Sequence, residues 1–71
     1  MRNLEITAYD IECSDLMDFG GPRRERVKDI YKTRNVDEYG RVTGKVSAYS
    51  RSGRHREFDI NADVRVGREG K

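Results

Sequence analysis

Tryptophan is absent from this chain of 71 residues, and cysteine, proline and histidine occur once each. A single thiol, Cys13, cannot close a disulfide within the chain, and it excludes a cysteine-based zinc site. Neither staple commonly found in small domains is therefore supplied by cysteine. Long apolar runs are missing too. None approaches the roughly 18 residues that a membrane-spanning helix requires. The segment Met1-Arg2-Asn3-Leu4-Glu5 also lacks the continuous apolar core of a signal peptide. A free thiol without such a leader leads to the expectation of a reducing compartment, the cytoplasm, and of no membrane contact.

Large aliphatic side chains are scarce. Leu, Ile, Val and Phe total fourteen, against 39% charged residues. A core this thin supplies about 3–5 kcal/mol, so marginal stability or a homodimer is expected. The formal net charge is only +2, and self-repulsion does not hold the chain open. One folded domain over residues 1–66, with a frayed tail at 67–71, follows from the pattern of apolar residues.

What is abundant is arginine, eleven residues against four lysines. Guanidinium forks match phosphate and carboxylate geometry better than ammonium groups do, although a GC-rich genome also favours Arg codons. The charge is segregated. Residues 1–22 hold Arg2 and five acids, net −4, whereas residues 23–71 hold fourteen bases and eight acids, net +6.

Periodicity supplies the fold. Phe58, Ile60, Ala62, Val64 and Val66 alternate with Glu57, Asp59, Asn61, Asp63 and Arg65. Period-two alternation marks a strand with one buried face. Val42, Gly44, Val46 and Ala48 alternate likewise, and Ser50-Arg51-Ser52-Gly53 has the composition of a turn. A hairpin pairing 41–49 with 56–66 is expected, its wet faces bringing Arg41 and Lys45 opposite or diagonal to Asp59 and Asp63.

Leu4-Glu5-Ile6-Thr7-Ala8 forms another alternating run, whose phase slips at Tyr9 as at a bulge or a strand end. Ser14 is placed to cap a helical turn through Asp15–Asp18, stopped by Gly20-Gly21. Between 22 and 36 two readings compete. Pro22 suits the first position of a helix, and Val27, Ile30 and Tyr31 share a helical face. Against that, Ile30-Tyr31-Lys32-Thr33 leans towards strand, with a tight turn at Asp37-Glu38-Tyr39-Gly40. The helix is favoured. The expected class is thus α+β, a small antiparallel sheet of three or four strands with one short helix; an all-β meander or small barrel is the alternative.

Catalytic chemistry finds little support. His55 stands between Arg54 and Arg56 with no adjacent carboxylate to orient it. Cys13 lies between Glu12 and Asp15, which disfavour a thiolate, and it reads as a small buried hydrophobe. Asp10, Glu12, Asp15 and Asp18 lack the Gly-centred loop and terminal Glu of a calcium-binding hand. The glycines fit neither phosphate-binding spacing. No catalytic residue, metal or cofactor is expected.

Two basic clusters remain: Arg23, Arg24, Arg26 and Lys28, continuing to Lys32 and Arg34, and the turn Arg51, Arg54, His55 and Arg56. On a helix, Arg24, Lys28 and Lys32 would align along one edge. A hairpin tip with cations and a glycine can grip phosphate or a protein partner. Tyr31 or Tyr49 offers a stacking surface for a base or, more ordinarily, a cap over the core. A charge of +2 is low for a dedicated nucleic-acid binder. The expectation is a non-enzymatic regulatory protein that docks on nucleic-acid machinery such as RNA polymerase and modulates transcription. Direct RNA or DNA binding through the same clusters and a structural or assembly subunit are the alternatives.

Overall fold

In the computed structural model, which describes residues 2–69, backbone pairing runs through eight strands: β1 (Arg2–Thr7), β2 (Leu16–Met17), β3 (Glu25–Lys32), β4 (Asn35–Val36), β5 (Val42–Thr43), β6 (Lys45–Ser50), β7 (His55–Asp59) and β8 (Asp63–Arg68). Six form one antiparallel sheet in the order β1-β8-β2-β3-β6-β7, while β4 and β5 pair only with each other. Consecutive strands β7 and β8 thus occupy the sixth and second places. On a flat sheet four strand spacings separate them, roughly 19 Å. The connection from Asp59 to Asp63 spans at most roughly 14 Å. The sheet must roll.

Backbone hydrogen bonds close one end of the roll: Ala8 N–H donates to Ala62 C=O at 2.8 Å, Tyr9 N–H to Ile60 C=O at 3.3 Å, and Ile60 N–H to Gly44 C=O at 3.1 Å. Ile11, Met17, Val46 and Val66 are fully buried inside, packed with Ala8, Phe19, Val27, Ala48 and Val64. Among the described residues no ladder joins the edge strands β1 and β7, so the sheet does not close into a barrel. Insertion of β8 between β1 and β2 rules out a simple meander.

The α+β expectation is overturned. Among the described residues there is no α-helix, only a single 3-10 turn at Ala8–Asp10, and the main sheet has six strands rather than three or four. The favoured helix at 22–36 is instead β3, and a bulge explains the deception. The pairing of β3 with β6 shifts register between Val27 and Asp29. One extra residue there restores Val27 and Ile30 to the same inward face, an i, i+3 spacing that mimics a helix. Tyr31, the third member of the supposed helical stripe, projects outward and is 64% exposed.

The helical turn expected at Ser14–Asp18 is likewise absent. Ser14 adopts a positive φ of 75°, and the chain enters β2. Cys13 is exposed rather than buried. The slip at Tyr9 is the end of β1 and the start of the 3-10 turn. The run 56–66 is two strands, not one. Its burial alternation persists across the turn at residues 60–62, with Ile60 and Val66 both buried. Consequently 45–49 pairs with 55–59, while 63–68 pairs with β1. The last strand also extends to Arg68, past the expected boundary at Val66.

Between β3 and β6 the chain makes an arm. Every residue from Tyr31 to Arg41 is exposed, and β4–β5 form its two strands. The base is pinned: Thr33 N–H donates to Lys45 C=O at 2.9 Å, and Asn61 Nδ2 donates to Val42 C=O at 3.3 Å. Gly44 sits at φ +154°, and a Cβ there would meet the Thr33 carbonyl oxygen at 2.0 Å. Only glycine fits this crossing.

Candidate functional site

The turn of the β6–β7 hairpin is built by Ser50. Its C=O accepts from Gly53 N–H at 3.1 Å, its Oγ accepts from Arg54 N–H at 3.1 Å, and its own N–H donates to Arg54 C=O at 2.9 Å. From this frame Arg54 turns back onto the chain. Its Nε lies 3.4 Å from Glu25 Oε2, and its guanidinium packs over Gly21. Ser52 Oγ donates to the other Glu25 oxygen at 2.6 Å. Strand alternation then divides the neighbours. Arg56 and Phe58 share the strand face opposite His55, the exposed guanidinium 4.9 Å from the Phe58 ring, and Arg56 Nη1 donates to Asp18 C=O at 3.0 Å. His55 faces outward. The turn arginines therefore do not form one surface: Arg54 and Arg56 clasp the segment from Asp18 to Glu25.

The second cluster is dispersed because its residues lie on and before a strand, not along a helical edge. Arg24 donates to Leu16 C=O at 3.1 Å and to Asn3 Oδ1 at 3.4 Å. Arg26 donates to Ser14 C=O at 2.9 Å and pairs with Glu69 at 3.1 Å. Lys32 donates to Tyr9 C=O, and both its ammonium and the Arg34 guanidinium lie over the Tyr9 ring. Among the described residues, Arg23, Lys28, Arg51 and His55 carry no side-chain hydrogen bond or ion pair and are exposed. Lys45 meets Asp59 at 2.6 Å as cross-strand pairing dictates. That carboxylate holds the Lys45 ammonium above its ordinary value of 10.5.

Pairing of three strands creates a feature that sequence spacing does not display. In the ladders Tyr49 lies across from Asp29 on one side and His55 on the other, with Tyr31 opposite Ser47. Tyr31 meets Tyr49 edge-on at 5.7 Å, and His55 stacks on Tyr49 at 4.7 Å. The result is an aromatic row on the outer face. Beside it runs a shallow groove of about 470 Å³, lined by Lys28, Asp29, Tyr31, Tyr49, Ser50 and Gly53. Charge around the row is balanced, with Lys28 and Arg51 against Asp29 and Glu57. The tyrosines were legible singly, but their union required knowing that 28–32 is a strand beside 45–50.

A second feature also escaped sequence reasoning. Asp15 is buried, 2% exposed, and Arg68 grips it through Nε at 2.9 Å and Nη2 at 2.7 Å. Arg68 also donates to Asp10 C=O at 3.1 Å and approaches Glu12 at 3.4 Å. These acids hold the guanidinium pKa above its usual range. Three of the four N-terminal acids considered for a cation therefore gather around an internal arginine. Among the described residues no group of three His, Cys, Asp or Glu side chains is placed to hold a metal ion. Asp15 is also a turn residue, its carboxylate accepting Glu12 N–H at 2.9 Å.

Comparison with protein-family models, with curated proteins and with solved structures finds no match to this chain. Among the described residues no helix is long and apolar enough to cross a membrane.

Proposed function

We propose that this chain is a non-enzymatic, cytoplasmic protein-binding module that docks through the Tyr31–Tyr49–His55 row. In this reading it regulates a partner from nucleic-acid machinery, RNA polymerase being the first candidate. The observation that carries the docking surface is the row itself. Tyrosine anchors recur at interface hot spots because they bring large contact area with few rotatable bonds. A tyrosine exposed to 64% adds little to the core. Balanced charge around the row favours a protein over phosphate, since nucleic-acid sites concentrate positive charge. The abundance of arginine, and Arg23, Lys28 and Arg51, unpaired among the described residues, are what direct the choice of partner towards machinery that itself handles nucleic acid.

Capture from bacterial lysate with the intact chain and with Y31A/Y49A tests this reading. The intact chain retains a subunit of a nucleic-acid enzyme, and the variant loses it. Equal recovery by both would refute the assigned surface. Direct nucleic-acid binding is the second reading, favoured by Lys28 and Arg51 flanking a stacking platform. It requires that affinity for single-stranded RNA or DNA fall steeply between low and moderate salt. Recovery of nucleic acid alone, with that salt dependence, replaces the first reading by the second.

A further inference from the structure

The arm places two apolar side chains in water, Val36 at 61% and Tyr39 at 83% exposed. Its construction is nevertheless exact at both ends. At the tip, one oxygen of Asp37 accepts the N–H groups of Tyr39 at 2.9 Å and Arg41 at 2.8 Å. Gly40 N–H donates to Asp37 C=O at 3.1 Å, and Asp37 N–H to Arg41 C=O at 3.0 Å. At the base, Asn61, Thr33 and the Gly44 crossing fix its exit from the sheet. A two-stranded hairpin is marginal alone, so these pins hold in place an element that buries nothing of its own. Preorganisation of this kind lowers the ordering cost of docking.

The groove beside the aromatic row is the complement. Tyr31 and Tyr49 give it an aromatic wall for an incoming ring. Lys28 and Asp29 line it, and Arg51 follows its wall residue Ser50, so two cations stand against one acid at this end. Neither cation has an ion pair among the described residues. The arm tip carries Glu38, whose carboxylate likewise has none, while that of Asp37 is engaged in the turn. The chain's own arm does not fill its own groove. The arm leaves the sheet at the Gly44 end of β6, and the groove lies at the Ser50 end, six residues or about 20 Å along the strand. A two-fold axis would let two copies exchange arms, each tip reaching the other's groove.

We infer that this chain forms a symmetric dimer in which Tyr39 of each copy inserts beside Tyr31 and Tyr49 of the other, with Glu38 facing Lys28 and Arg51. The inference rests on the same row that the functional proposal uses, so partner and second copy compete for it. Sedimentation equilibrium of the full chain from about 5 to about 500 μM tests the dimer. The wild type associates, and Y39A weakens association at least about tenfold with an unchanged far-UV spectrum, because Tyr39 is 83% exposed in the monomer. E38K also weakens it, and E38K/K28E recovers it. A wild type that stays monomeric throughout, a Y39A chain that dimerises normally, or a charge swap that fails to rescue each overturns the assignment. Lysate capture by Y39A separates the two proposals: loss of the dimer leaves partner capture intact or enhanced, whereas capture failing with both chains defeats the partner reading alone.

Discussion

Replacing Arg68 by methionine tests the internal ion pair most directly. The substitution keeps an unbranched stem of similar bulk and removes the guanidinium. Asp15, with its side chain 3% exposed, then keeps a hydrogen bond only from Glu12 N–H. Removing one partner of a buried pair costs about 3–5 kcal/mol, mostly the penalty of an uncompensated charge. Arg68 is itself 31% exposed, so water reaches the vacated site and the loss falls to about 2–3 kcal/mol. Against a total of about 3–5 kcal/mol for a domain this small, that is most of the stability. In urea, with a slope of about 1 kcal/mol/M, the midpoint drops by about 2–3 M. R68M/D15N is more stable than R68M by about 1 kcal/mol or more, because asparagine still accepts the Glu12 N–H and leaves no buried charge. Arg65 is the control. It faces Glu5 at 3.6 Å with both side chains largely exposed, and R65M stays within about 0.5 kcal/mol of wild type. An R68M midpoint indistinguishable from that of R65M would refute the reasoning.

Further outcomes can be checked on the same preparation. Gly44→Ala prevents cooperative unfolding altogether, whereas Gly40→Ala, at φ +79° with open space around it, costs only about 1–2 kcal/mol; thermal melts distinguish them, and equal losses would contradict the Thr33 collision. Glu25→Gln weakens the hold on Arg54, and faster amide exchange around Gly21 than in wild type is the expected readout. The Lys45 ammonium is raised above 10.5 in the fold by Asp59, so its stabilising effect is complete below that pH and disappears as pH climbs through the folded value. The melting-temperature gap between wild type and K45M should therefore hold up to about pH 10.5 and close only above it, and a constant gap would disprove the linkage. Ellman's reagent should titrate Cys13 in the native protein as fast as in urea, since the thiol is exposed; a native-state lag would contradict its placement.

How much was legible depended on how local the cause was. The expected strands, 41–49 and 56–66, run longer than the paired 45–49 and 55–59. Even so, the turn opening at Ser50, the pairing of the strand before it with the strand after it, and the meeting of Lys45 with Asp59 follow from alternation and turn chemistry within some fifteen residues. The class of fold did not. A single bulge at Val27–Asp29 gave strand residues the spacing of a helix, and bulges leave no residue signature of their own. The candidate surface suffered similarly. Arg54 and Arg56 read as free cations because the acid and carbonyl that occupy them, at Glu25 and Asp18, are about thirty or more residues away in sequence. Tyr31 and Tyr49 were visible as stacking candidates, but not as neighbours.

Short-range order in this chain is set by the side-chain sequence itself: where polar and apolar residues alternate, where glycine frees the backbone, and which charges stand across a turn. Long-range order belongs to the tertiary structure. It decides that Ile60–Ala62 breaks one apparent strand in two, that β8 returns to lie beside β1, and that Asp15 meets Arg68. The physical reason is that periodicity records which face of a residue is buried but not what buries it. The partner across the core is chosen by the rolling of the whole sheet.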